Sequence, residues 1–476
     1  MIFLPELIVV VCAVAILLTD LWLDERRRVI LAPMAAIGLV VAMASLIISV
    51  PQNGLTLGGR FSVDPVGWWF KVFFLLSGLI TILISLDLLD GRVGVRMRGI
   101  GFRGEYYTVL LATILGMMVL VSARDLITLY VSLELATMPL FVLTAWRRDD
   151  AQSGEAGMKY VIFGAMASAC MLYGLGLLYG LTGSTALTAI DRQLANMPAF
   201  WLATAMLVAG IGFKLTIVPF HFWAADVYQG APAPVTAYLS VASKGAGLAF
   251  AFQILYRWMD GWIADAAVGV AVFAALTMTL GNTVAIVQHN IKRFMAFSAI
   301  SQAGYLVMGF VGGLPEGIPA MLFYLLVYAV TNLAVFACIV WFSNQTGKEQ
   351  IEDYRGLART NPLIALTMML GLFSLAGIPP LSGFVGKFFL FSVASKAGFH
   401  WLVAVAAVNS TISLYYYLRI VRQMYIEPAD KDSTRLPITP TLAATLMVLS
   451  ATQLLMGIIP SLYETISSQT LAWLAR

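Results

Sequence analysis

Apolar runs of eighteen or more residues recur along the whole chain, a pattern that no soluble fold accommodates. Each run is long enough to cross the hydrocarbon core of a bilayer as a helix, whereas the buried helix of a soluble domain is apolar over only about 10–14 residues. Composition closes off the remaining alternative. Of the 476 residues 60% are hydrophobic and 11% charged, too little polar surface to cover a soluble protein of this size. The chain therefore reads as an all-α integral membrane protein. Its first stretch, "MIFLPELIVVVCAVAILLTDLWL", has no basic leader and no small-residue cleavage pattern, which predicts a retained first span.

Polar loops divide the sequence into fourteen predicted spans, at 2–22, 29–49, 66–88, 107–122, 125–145, 158–181, 200–225, 233–256, 265–287, 293–312, 317–343, 361–394, 400–418 and 440–462. The separation of the fourth from the fifth rests only on Ala123 and Arg124. Loop charge tests the division, because basic residues concentrate on the inner side of a membrane. With the N-terminus outside, the inner loops hold Arg26, Arg27, Arg28, Arg92, Arg96, Arg98, Arg103, Arg147, Arg148, Lys159, Lys292, Arg293, Lys348, Arg355, Arg359, Arg419, Arg422, Lys431 and Arg435. The outer segments hold only Arg60, Arg124, Arg192, Arg257, Lys396 and Arg476. A wrong span count would scramble that bias, so both termini are expected outside.

Two spans cannot be continuous helices. The run 361–394 would be about 51 Å long against a hydrocarbon core of about 30 Å. It also contains "SLAGIPPLSGF", in which Pro379 and Pro380 remove two amide donors and crowd the carbonyls of Leu375 and Ala376. In the run 200–225, Pro219 frees the carbonyl of Leu215, next to Lys214. Freed backbone groups survive at membrane depth only where protein or water satisfies them, so such breaks line cavities and ion sites. The broken spans are the seventh and the twelfth. Their spacing predicts two five-helix repeats, spans 4–8 and 9–13, and an odd number of spans per copy inverts the second relative to the first. The expected divisions are a three-span segment at 1–106, repeats at 107–257 and 258–424, and a last span within 425–476. "SVASK" occurs at 240–244 and 392–396, in spans that do not correspond under this repeat.

Cys12, Cys170 and Cys338 stand alone in separate runs, which argues against iron–sulfur ligation and disulfides. His221, His289 and His400 are too few and scattered for a pair of haems, and no glycine-rich nucleotide fingerprint follows a strand. No cofactor or metal site is expected on this chain. Its unusual groups are charges. Lys71 lies near a span end and could reach the headgroups. Glu6, Asp20, Asp87 and Asp125 also sit near span ends. Lys214, Lys244 and Lys387 lie deeper, and Glu134 in "LYVSLELATMPL" is the one carboxylate near mid-membrane.

A charge at the bilayer centre costs about 2.5–3.5 kcal/mol, so four of them are a poor route to stability. One carboxylate could pair with one lysine, but it cannot neutralise three. Proton transfer uses all of them. A buried lysine binds or releases its proton according to burial and the nearness of a carboxylate. Glu134 is accordingly expected to pair with Lys214, whose proton would pass to Lys244 and then along water and hydroxyls to Lys387. His221 could relay, or could cap the broken helix after Pro219. Tyr324, Tyr328, Thr331 and Asn332 could line the polar axis, although membrane helices also use such residues as packing glue.

Taken together, "GFKLTIVPFHFW", "GAPAPVTAYLSVASKGA", "NIKRFMAFSAISQAGY" and "AGIPPLSGFVGKFFLF", in that order after a mid-span glutamate, closely resemble the antiporter-like subunits of respiratory complex I, over nearly the whole chain. Within that family, Lys387 and the short stretch after the last span set the chain apart from siblings with a glutamate there or with a long lateral helix. The resemblance implies proton-path residues at Glu134, Lys214, Lys244 and Lys387. It also implies a translocase subunit in a bacterial inner membrane, with other membrane-arm subunits and lipid as partners and no nucleic acid. NADH, FMN, iron–sulfur clusters and quinone would belong to partner subunits. The alternative is a subunit of a Na⁺(K⁺)/H⁺ antiporter, which shares the fold.

Overall fold

The computed structural model describes residues 3–24, 27–48, 54–56, 58–90, 103–190, 194, 196–258, 263–429 and 434–474. Arg26, Arg92, Arg96, Arg98, Arg192, Lys431 and Arg476 of the charge count lie outside the described residues, as do the predicted span ends at 2 and 49. The chain opens with α1 (Leu4–Trp22), α2 (Leu31–Ile48) and α3 (Pro65–Asp90). Between the last two lies a hairpin of β1 (Gly54–Thr56) and β2 (Phe61–Val63), with Leu55 opposite Ser62. Then come α4 (Arg103–Ser122), α5 (Leu126–Thr144), α6 (Ala151–Thr182), α7 (Pro198–Leu215), α8 (Phe222–Gly230) and α9 (Ala233–Trp258). They are followed by α10 (Ile263–Ile286), α11 (Ile291–Met308), α12 (Leu314–Thr346), a single turn α13 (Leu357–Thr360), α14 (Pro362–Ala376), α15 (Ser382–Lys396) and α16 (His400–Tyr425). The last two helices are α17 (Pro440–Ile458) and α18 (Ser461–Leu474).

Among the described residues, 13 helices are long and apolar enough to cross a membrane, and α14 with α15 supplies the remaining span. The outer helices turn an apolar stripe outward: on α1, Leu7, Val11, Val14 and Leu18 are all exposed, at helical spacing. By contrast, the apolar windows of α9, α11 and α12 are wholly enclosed by protein. These three helices form the axis of the molecule.

Around that axis the backbone repeats itself. Asp125 caps α5 by accepting from the amides of Ile127 and Thr128, and Asn290 caps α11 by accepting from those of Lys292 and Arg293. The Leu126 amide donates to Thr185 O at 2.8 Å, and the Ile291 amide to Glu349 O at 2.9 Å. In return the Leu187 amide reaches Arg124 O at 3.1 Å, and the Ile351 amide reaches His289 O at 2.8 Å. Left-handed glycines end the third helix of each set, Gly183 after α6 and Gly347 after α12. The fourth helix of each set is broken, between α7 and α8 and between α14 and α15. The fold is thus two five-helix repeats, α4–α9 and α10–α16, inverted relative to each other because each contains an odd number of spans.

One charge departs from the sequence expectation. Lys71 does not reach the headgroups: it is 1% exposed, and its Nζ lies 2.6 Å from Glu6 Oε1 on α1. A carboxylate within reach makes pairing cheaper than stretching toward water. The last span, α17, ends at Ile458 rather than at the expected 462, and α18 starts after Pro460, which cannot continue the ladder of α17. The expected separation of the fourth and fifth spans is present, and it is more than a bend: Ala123 bridges to Phe61 of the hairpin, and the Arg124 amide donates to Arg60 O at 2.9 Å.

Candidate functional site

The two breaks position the site. Helix α7 ends at Leu215, where Thr216 turns to a left-handed φ of 60° and the Ile217 amide reaches back to Gly212 O at 3.0 Å. Helix α14 ends at Ala376, where Gly377 takes φ 90° and the Ile378 amide reaches Phe373 O at 3.0 Å. The Val218–Pro219 and Pro379–Pro380 peptide bonds are cis. With the helical ladder interrupted, the last carbonyls of α7 and α14 need other donors.

Lysines and polar side chains supply them. Lys244, from α9, donates from Nζ to Thr216 Oγ1 and lies 3.4 Å from Leu215 O. Lys387, from α15, donates to Ala376 O and to Ser410 Oγ, both at 3.1 Å, with Nζ 4.3 Å from the centre of the Tyr305 ring. Leu375 O accepts from Gln302 Nε2 at 3.0 Å. All three carbonyls expected to be freed by the prolines, at Leu215, Leu375 and Ala376, therefore meet side-chain donors. Each ammonium also sits at the negative end of a half-helix, where a cation is favoured. Gly377 is needed twice over: its φ is left-handed, and a Cβ there would press Lys387 Cδ at 3.1 Å.

Lys214 points the other way, away from the break. Its Nζ donates to Thr137 Oγ1 on α5, and Gly247 of α9 leaves room for its stem. Glu134 is half-buried and accepts from Ser168 of α6. Among the described residues there is no direct Glu134–Lys214 ion pair. Thr137, one turn after Glu134 on the same helix face, takes the lysine instead. Lys214, Lys244 and Lys387 are 4%, 1% and 3% exposed, so none reaches out of the protein.

Between the two breaks runs a buried polar stripe on α12. Tyr328 donates to Ser240 O at 3.2 Å, and Asn332 Nδ2 to Ser240 Oγ at 2.6 Å, one turn before Lys244 on α9. Tyr324 donates to Gln302 Oε1 on α11, and Gln302 in turn holds Leu375 O beside the carbonyl that Lys387 caps. Thr331 bonds Ser374 of α14 at 3.1 Å. Tyr324, Tyr328 and Asn332 thus face α11 and α9, while Thr331 faces α14. His221 takes the N-cap position of α8 but makes no side-chain cap bond, because its backbone is helical rather than extended. Its ring is buried, and Nδ1 has no hydrogen-bond partner among the described residues.

Sequence reading missed Thr137, Ser168, Thr216, Ser240, Gln302, Tyr305 and Ser410. Most lie one turn from a residue it named, or inside a stretch it quoted, so helical spacing from the charges was the usable signal.

Residues 123–413, which include both breaks and all four deep charges, match the family described as NADH:quinone oxidoreductase/Mrp antiporter, TM. The chain is 41% identical over 445 residues to the NADH-quinone oxidoreductase subunit N of Moorella thermoacetica, covering 92% of this chain and 90% of the relative. It superposes on a chain of respiratory complex I from Thermus thermophilus with a TM-score of 0.81 and 32% identity, covering 96% of this chain and 97% of that one. A chain of the Mrp complex from Dietzia matches with a TM-score of 0.85, covering 98% and 96%, but at 23% identity, a likeness of fold alone. With its inverted repeats, broken helices and buried lysines, the chain belongs to the NADH:quinone oxidoreductase/Mrp antiporter transmembrane family.

Proposed function

We propose that this chain is a proton-translocating, antiporter-like membrane subunit of an NADH:quinone oxidoreductase. Its place would be a bacterial inner membrane, with both termini on the outer side. One observation carries the reading: two buried lysines cap the two broken helices, and a buried polar stripe on α12 lies between them. A proton loaded near Glu134 would pass through Thr137 to Lys214, then to Lys244, and along Ser240, Tyr328, Tyr324 and Gln302 with intervening water to Lys387. Each lysine receives a proton as a neutral amine and gives it up as an ammonium, so neighbours must alternate in charge. His221, unbonded at Nδ1 beside the first break, fits a relay better than a cap. The functional units would be 1–106, 107–257, 258–424 and 425–476.

The redox groups, NADH, FMN, iron–sulfur clusters and quinone, would sit on partner subunits of the membrane and peripheral arms. Identity of 41% to a subunit N and 32% to a complex I chain favours this reading over a Na⁺(K⁺)/H⁺ antiporter, for which the 23% match supports only the fold. Copurification with a flavin and iron–sulfur assembly tests the choice of complex. The path itself is tested by measuring protons moved per electron in sealed vesicles bearing Lys214→Met, Lys244→Met or Lys387→Met. Each is expected to lower that ratio; full pumping by Lys244→Met or Lys387→Met would refute the path.

A further inference from the structure

Helix α8 has nine residues, fewer than a helix needs to hold itself together, so outside contacts must fix it. Its first residue follows the first break directly, and its far end is gripped by the second repeat. Arg293, at the head of α11, donates to Asp226 Oδ1 at 2.6 Å and to Gln229 Oε1 at 3.4 Å. Lys292 beside it donates to Ala231 O, just past the C-terminus of α8, at 3.3 Å. That ammonium is only 3% exposed, although sequence alone placed it in an inner loop, and its counter-ion is Glu349 at 3.0 Å. From the first repeat, Lys159 of α6 closes on the other oxygen of Asp226 at 2.7 Å. The grip is one-sided. At the matching head of α5, two and three residues past the cap, stand Ile127 and Thr128, which carry no charge.

We propose that Lys292 and Arg293 are positioning residues: through them the second repeat holds α8, and with it sets the Thr216–Lys244 contact at the break in the first. This rests on the proton-path reading above and adds to it a mechanical link between the two halves of the path. A cation at the end of α8 also opposes the negative end of that helix, so the hold is directional.

The test uses the assembled complex in sealed vesicles and reads protons per electron. The double substitution Lys292→Met with Arg293→Gln should lose the share of pumping that Lys214→Met loses, while Lys292→Arg with Arg293→Lys should keep it. Full pumping by the neutral double, or equal loss in the charge-conserving double, overturns the proposal. If the neutral double does not assemble, Arg293→Gln alone, at a half-open position, carries the same two outcomes. Should Lys214→Met itself pump fully, the proton-path reading fails instead, and the two failures are told apart.

Discussion

The two repeats build the same break and place their charges differently. Counted from Pro219 and Pro380, the residue five positions before is Lys214 in the first copy and Leu375 in the second. Seven positions after, the first copy has Asp226 and the second Lys387. Yet the spent end of each half-helix meets an ammonium, from α9 in one copy and from the broken helix's own second half in the other. The backbone thus fixes where a cation is wanted, at the orphan carbonyls, and leaves open which helix supplies it. The first copy also carries an extra lysine facing α5 and the half-buried Glu134, groups the second copy lacks at those positions. In this account the first copy loads protons and the second delivers them.

That contrast can be broken in steps. The largest effect should come from Lys387→Met, which leaves Ala376 O without its side-chain donor and empties the second copy of its deep charge; pumping through this chain should be lost, read as protons per electron. Outside both copies, Glu6→Ala strands the Lys71 ammonium and should destabilise the N-terminal segment by about 3–5 kcal/mol, seen as a lower thermal transition of the purified complex. Glu6→Ala with Lys71→Met should recover most of that loss. Gly377→Ala adds a side chain in a left-handed turn, at about 1–2 kcal/mol, and crowds Lys387. It should slow pumping. The corresponding Thr216→Ala adds no side chain at its left-handed turn but removes the hydroxyl that accepts from Lys244, so it too should slow pumping, without the backbone cost. The smallest effect is expected of Thr137→Val, which removes the acceptor of Lys214 but keeps the volume. It should lower the pumping rate in the first copy without touching assembly.

Much of this was legible beforehand, for physical reasons that can be named. Span count followed from hydrophobic length, and the breaks followed from prolines whose effect on the carbonyls of Leu215, Leu375 and Ala376 is local. The partners of those carbonyls were not legible, because Gln302 lies about seventy residues from Leu375 and only packing brings them together. The Glu134–Lys214 contact failed as a direct pair for a similar reason. Which of two neighbours on a helix face a long side chain meets depends on helix rotation, and periodicity does not fix rotation to that accuracy. Lys71 was misread because Glu6, its partner, lies on a helix two spans away. The end of the last span ahead of Pro460 was within reach, since a proline just past a helix end is the same signal used at Pro219.

The central claim is that the two lysine-capped breaks lie on one path rather than two. Protons per electron in vesicles carrying Lys244→Met, Lys387→Met and both together test it most directly. On a single path the double substitution loses no more than the more severe single one. Losses that add, with each single substitution keeping its own share, would show two independent routes and contradict the account.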